Sequence, residues 1–189
     1  ASTQGADAMY FIQAKHNDVL NLTLSSALTT NITEKSTWSN GFLVSYNNAK
    51  HYQTMDDLLG ATTYHNVNFY ALGTYPAGSD KLQYDLNHPN AVVGEGDKFG
   101  YSYNIIASKA QVWTSYAENF GNLHYTISGR VGGKTLQRDG KMRNGLFADN
   151  SYGKSKTANF LSGGAKFSAS IDLSHGSVIS LGLGYEHKA

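Results

Sequence analysis

Ser174, His175 and Ser177 place two hydroxyls beside an imidazole, the raw material of a serine hydrolase in which the histidine takes the proton of the attacking oxygen. The setting argues against that use, because Ser174-His175-Gly176 reads as a tight turn between two alternating segments, where no substrate is expected. Gly94, Gly96 and Gly100 resemble a phosphate-cradling loop, but their spacing is one residue too long for G-x-G-x-x-G and no helical pattern follows. A turn is the expectation. The 7 histidines are scattered with no His-x-x-x-His or His-Glu pair, and with 0 cysteines there is no thiolate zinc site, disulfide or cysteine nucleophile. The sequence thus predicts no catalytic residue, no metal site and no cofactor, and a protein that is not an enzyme.

Other residues are suited to binding. Tyr52, Asp56, Asp57, Tyr64, His65 and Tyr70 combine aromatic faces for stacking with carboxylates for polar contacts, a surface fit for sugar, peptide or a metal complex. A second cluster, Arg138, Lys141, Arg143, Lys154 and Lys156 with Asn150 and Tyr152 nearby, is basic enough to attract an anionic ligand or a lipopolysaccharide surface. Asn21-Leu22-Thr23 and Asn31-Ile32-Thr33 fit a glycosylation sequon that short motifs match by chance.

The elements that must position these residues follow from composition and period. Charged residues are only 15% of the 189, against 13 Tyr, 20 Gly and 2 Pro, so polarity comes mainly from Ser, Thr, Asn and Tyr, and strands are favoured. A formal charge of +1 supplies no global field to hold phosphates, which excludes nucleic acid as the partner. No apolar run reaches the ~18 residues of a spanning helix, and Ala1 to Tyr10 lack the basic start and apolar stretch of a signal peptide. A mean hydropathy of -0.39 is still compatible with a membrane barrel, whose short alternating strands leave window averages low.

Six segments alternate with period two. Val19–Ile32 places Leu20, Leu22, Leu24 and Leu28 on one face. The second segment sets Trp38, Phe42, Val44 and Tyr46 against Thr37, Ser39, Gly41, Ser45 and Asn47, with Leu43 out of pattern. Tyr101–Tyr116 sets Val112 and Tyr116 against Lys109, Gln111 and Trp113; the fourth sets Leu123, Tyr125, Ile127 and Val131 against His124, Arg130 and Lys134. The fifth carries Phe167 and Ile171 against Lys166 and Asp172, and the sixth Ile179, Leu181, Leu183 and Tyr185 against Glu186. All six strand charges (Lys109, Arg130, Lys134, Lys166, Asp172, Glu186) fall on the polar face, as a lumen-facing set would, because a Lys or Arg facing lipid near the midplane costs roughly 2–4 kcal/mol.

Short connections alternate with long ones, Asn47 to Gly100 and Gln137 to Thr157, which in a meander puts the long loops at one rim, with both prolines in the first of them. Trp38, Tyr116 and Tyr125 then flank the short turns, and Tyr46 and Tyr185 the long loops, as two interfacial girdles. The expected fold is all-β: an antiparallel up-and-down meander, part of a large transmembrane outer-membrane β-barrel with long outer loops that help bind a ligand. Met9 and Phe11 mark a further candidate strand within Ala1 to Lys15. Even so the count falls short of the roughly eight strands of the smallest such barrels, so residues 1–189 are expected to be a single interior fragment of a longer barrel. A small independent barrel acting as porin or adhesin and a soluble carbohydrate-binding β-sandwich are the alternatives.

The loop stretches Tyr52-Gln53-Thr54-Met55-Asp56-Asp57-Leu58-Leu59-Gly60 and Gly94-Glu95-Gly96-Asp97-Lys98-Phe99-Gly100-Tyr101-Ser102-Tyr103 resemble the barrel of TonB-dependent outer-membrane receptors of the Bacteroidetes type. The strongest mark is Asp139-Gly140-Lys141-Met142-Arg143-Asn144-Gly145-Leu146-Phe147-Ala148-Asp149-Asn150-Ser151-Tyr152-Gly153-Lys154. The resemblance covers most of the chain from about Met9. It implies a barrel of about 22 strands plugged by a globular domain, located in the bacterial outer membrane, importing a bulky nutrient with energy delivered by the TonB complex through that plug. Its other implied partners are outer-membrane lipid and lipopolysaccharide. Neither a TonB box nor plug sequence is legible, so the barrel role alone carries over.

Overall fold

The computed structural model describes residues 3, 4 and 7–188, and the chain is all-β. Its strands are β1 (Thr3–Gln4), β2 (Asp7–Ala8), β3 (Ile12–Asn31), β4 (Ser36–Asp57), β5 (Tyr64–His65), β6 (Val92–Val93), β7 (Lys98–Phe120), β8 (Leu123–Gly140), β9 (Gly153–Lys154), β10 (Ala158–Asp172) and β11 (Val178–His187). β3, β4, β7, β8, β10 and β11 lie side by side in sequence order as an antiparallel meander, and the short β9 pairs with the end of β8. The sheet is open, with β3 and β11 at its edges. β1–β2 and β5–β6 are separate two-stranded pairs.

Each of the six alternating segments is a strand, because a period-two pattern of apolar and hydroxyl side chains suits a pleated sheet with two different faces. Several strands outrun that pattern. Met9 and Tyr10 form a bend between β2 and β3, so the candidate strand does not run through Met9 and Phe11; residues 12–15 of that stretch begin β3 instead. β4 continues to Asp57 and β8 to Gly140, which shortens both expected loops and moves Tyr52 from loop to strand. In these extensions both faces are polar (Asn47, Asn48, Lys50, His51, Gln53), so backbone pairing persists where the hydrophobic signal has ended.

Two compact units divide the chain: a sheet unit of Asn21–Tyr46, Ala107–Leu136 and the chain from Ala158 on, and a loop unit of the residues up to Leu20 with Asn47–Ile106 and Gln137–Thr157. Within the sheet unit, register fixes the faces. Ile127 lies opposite Phe167 and Phe167 opposite Leu183; Ile171 faces Leu123 and Ile179; Ala169 faces Tyr125 and Leu181. The apolar positions of three strands therefore form one continuous surface, and a one-residue slip would scatter them to both faces. The other surface carries Lys166 opposite Ser128 and Gly184, and Gly164 opposite Arg130 and Glu186.

The buried apolar residues lie in the loop unit. Ala8, Met55, Leu58, Tyr64, Val93 and Phe99 form a core on which Phe11 and Ala61 pack. Phe11, Tyr64 and Phe99 meet edge to face, with ring centroids 4.6 Å (Phe11–Tyr64), 5.4 Å (Phe11–Phe99) and 5.6 Å (Tyr64–Phe99) apart.

Candidate functional site

The two long connections are not structureless: they are built into one another. Asp85, whose side chain is 8% exposed, accepts hydrogen bonds from Arg143 N (2.9 Å), Asn87 N (3.1 Å) and His88 Nδ1 (2.9 Å). Leu86 N donates to Arg143 O (2.7 Å) and Gly145 N to Gln83 O (2.8 Å). A Cβ on Gly145 would sit 1.8 Å from Asp80 O, so only glycine permits this approach. Asn144 caps the turn Gly145–Phe147 through its side-chain oxygen on Leu146 N (2.9 Å), and its own N donates to Ser151 Oγ (2.8 Å). The stretch from Asp139 to Lys154 is thus an architectural element of the second loop.

That architecture occupies several residues read as ligand contacts. Arg138 Nη2 donates to the carbonyls of Asn150 (2.7 Å) and Ser151 (2.8 Å), and Arg143 Nε to that of Ala148 (3.0 Å), so both guanidiniums close the loop on itself. Tyr64 is 5% exposed and belongs to the core. His65 Nδ1 lies 3.0 Å from Asp7 Oδ2. Tyr52 is enclosed by its neighbours: His16 stacks on it (4.6 Å), Lys98 Nζ sits 4.1 Å from its ring centre, and its hydroxyl donates to Asp18 Oδ2 (2.8 Å). Tyr70, at 96% exposure, and Tyr152 are the aromatic side chains of the set that offer an open surface. Gly94 and Gly96 belong to a turn, with Gly94 N donating to Asp97 Oδ2 (2.9 Å) and Gly96 N to Met55 O (2.6 Å), whereas Gly100 lies in β7.

Burial raises the Tyr64 hydroxyl to about 12, with the Tyr84 and Tyr70 phenols adding to the effect. A folded-state value above the unfolded one of about 10 means that Tyr64 stabilises the loop unit fully below pH 10, and that this contribution is lost as pH rises through 12. The loop core should accordingly loosen between pH 10 and 12. Near-ultraviolet circular dichroism of wild type and Tyr64→Phe checks this, since the variant lacks the ionisable group and should hold its signal further.

In the sheet unit the polar face is a charged surface. The Arg130–Glu186 ion pair crosses β10 above Gly164, which lies in register with both partners and has no side chain to obstruct them. Trp113 lies over Gly41 of the neighbouring strand, where a Cβ would stand 2.5 Å from the ring. Asp172 Oδ2 pairs with His124 Nε2 (2.9 Å), whose other nitrogen meets Asn119 Oδ1 (2.7 Å). Lys109, Lys134 and Lys166 sit on this face without an acidic partner among the described residues. His175 occupies the left-handed region (φ 66°) of the turn between β10 and β11.

One cluster was missed. Glu118 lies in β7, where its Oε2 accepts from the hydroxyls of both Tyr116 (3.0 Å) and Tyr125. Beside them Trp38 Nε1 donates to Thr114 Oγ1 (2.9 Å), and that hydroxyl donates to Asn40 Oδ1 (2.8 Å). The signal was the phase of the strand: Glu118 continues the even positions Val112, Thr114 and Tyr116.

Comparison with profiles of protein families, with curated proteins and with solved structures finds no match to this chain.

Proposed function

We propose that the chain is part of the wall of an outer-membrane β-barrel, with its apolar face toward lipid and its charged face toward the interior, serving a TonB-dependent receptor that imports a bulky nutrient. One observation carries the membrane part. Exposure in the sheet unit is inverted: Phe42, Val44, Val112, Ile127 and Val131 are exposed, whereas Gly41, Ser45, Gln111, Ser128 and Arg130 between them are half-buried. Leu20, Leu22, Leu24, Phe167, Ile171, Leu181 and Leu183 are exposed as well. A soluble sandwich buries such a face beneath a second sheet, whereas here its apolar side chains are exposed.

Element length agrees with this reading. β3 and β4 run for 20 and 22 residues, more than the roughly 9–11 a tilted strand needs to cross a bilayer. Trp38, Tyr116 and Tyr125 near the short turns, with polar groups bonded to neighbours, match the amphipathic girdle of a membrane interface. The importer function rests on the resemblance of the loop stretches; lipid, lipopolysaccharide and, through a plug, the TonB complex are the partners it brings. The exposure of Lys154 and Lys156 in the second loop supports a contact with lipopolysaccharide phosphates.

Adjacent residues on opposite faces test the membrane part. The complete protein carrying Ile127→Cys or Ser128→Cys, labelled with an environment-sensitive fluorophore and reconstituted in vesicles, should be quenched by brominated lipid at position 127 and by aqueous iodide at 128. Iodide quenching at both positions would remove the membrane reading.

A further inference from the structure

The charged face of the sheet unit holds more positive charge than its neighbours neutralise. Glu186 serves two cations, Arg130 on one oxygen and Lys188, at 3.3 Å, on the other. Lys166, in register with Ser128 and Gly184, has no acidic partner among the described residues. Further along, a Cβ on Gly132 would stand 3.1 Å from Gln111 Cβ, which sets those residues opposite each other and puts Lys109 directly across from Lys134. Like charges so placed weaken a sheet unless something between them is negative.

A cavity opens among these charges. Trp113, Ser128, Arg130, Lys166, Glu186 and Lys188 line a cavity of about 560 Å³, within the range of small-ligand sites. Its contents differ from those of a bare anion site, because an indole lies beside the cations. Three cations against one carboxylate favour a negative group, and the apolar indole plane favours a ring whose C–H face can stack on it. We infer that this cavity binds an acidic saccharide, its carboxylate or sulfate held by Lys166, Arg130 and Lys188 and its ring laid on Trp113. The inference rests on the importer reading, which gives a ligand cause to reach this face.

Titration calorimetry of the complete protein in detergent micelles tests it with three probes: trigalacturonate, neutral maltotriose and inorganic sulfate. Trigalacturonate should bind, weaken as salt is raised, and lose roughly fivefold or more in affinity in Lys166→Gln/Lys188→Gln, the loss of about 1 kcal/mol expected of an exposed charge contact. These two lysines make no contact the fold needs beyond the Lys188–Glu186 pair at the surface. Equal binding of maltotriose, or an unchanged affinity in the double variant, overturns the inference; sulfate binding as tightly as the sugar overturns its saccharide part. The fluorophore pattern at positions 127 and 128, read separately on the labelled variants in vesicles while binding is measured on unlabelled protein, keeps the two readings apart. An intact pattern without trigalacturonate binding removes the cavity assignment alone, and a lost pattern removes the membrane reading.

Discussion

Arginine in place of Ile127 should prevent most of the protein from assembling in a bilayer, while arginine in place of its neighbour Thr126 should leave assembly near wild type. Ile127 is 53% exposed, and register places it in a row with Phe167 and Leu183 on the apolar face. On the membrane proposal a guanidinium there would face hydrocarbon at a cost of about 2–4 kcal/mol, a large share of the ~5–15 kcal/mol that holds a folded protein together. Thr126 lies opposite Ser168, itself opposite Gly182, so the opposite face offers space and water to a long charged side chain. A soluble sheet would give another result: an exposed isoleucine on an aqueous surface exchanges for arginine within about 0.5 kcal/mol. Urea titration of each variant folded into vesicles, followed by heat-modifiable migration on gels, reads the difference. Equal midpoints for the two variants would place both faces in water.

The same residues show how much of this protein its sequence discloses. Alternation located all six long strands and assigned Ile127, Val131, Phe167 and Leu183 to a common face, because side chains in a pleated strand have no freedom to choose sides. It could not show where the strands stop, since Asn47 to Asp57 and Ile12 to Asp18 continue by backbone hydrogen bonds after the hydrophobic contrast has ended. Residue type misled most in the loops. Tyr64, Arg138 and Arg143 have the chemistry of ligand contacts, yet Tyr64 fills a core and the two arginines close carbonyls of their own loop. That core gathers Phe11, Met55, Tyr64, Val93 and Phe99 from separated stretches without any period, so no local pattern announces it. Asp85 was equally silent, as one acid among loop polar residues until the fold buries it beneath Arg143.

Because that hidden core orders the loops, Phe99→Ala is expected to do more damage there than removal of any exposed aromatic. Phe99 is 2% exposed and touches the rings of Phe11 and Tyr64, with Met55 fully buried beside it in the same cluster. Truncating a buried phenylalanine costs about 3–5 kcal/mol, part lost transfer energy and part cavity. The loop unit should become open to protease between Leu58 and Asp97, while the strands of the sheet unit keep their resistance, since none of their apolar residues contributes to this core. Gly145→Val should loosen the second loop as well, because its side chain would have to enter the carbonyl of Asp80. Tyr70→Ala, at a 96% exposed position, should leave the protease pattern unchanged. The contrast bears on how a ligand role for the loops is to be measured. Deleting residues 63–87 would remove Tyr64, Leu82, Gln83 and Asp85, and with them the support of Arg143 and Gly145, so any fall in uptake would report collapse of the loop unit rather than a lost contact. Tyr70→Ala and Tyr152→Ala separate the two effects: lower uptake with wild-type protease resistance assigns these aromatics to ligand, and unchanged uptake assigns the loops a shielding role. Equal resistance of Phe99→Ala and wild type would mean that the hydrogen bonds around Asp85, rather than this core, hold the loops in place.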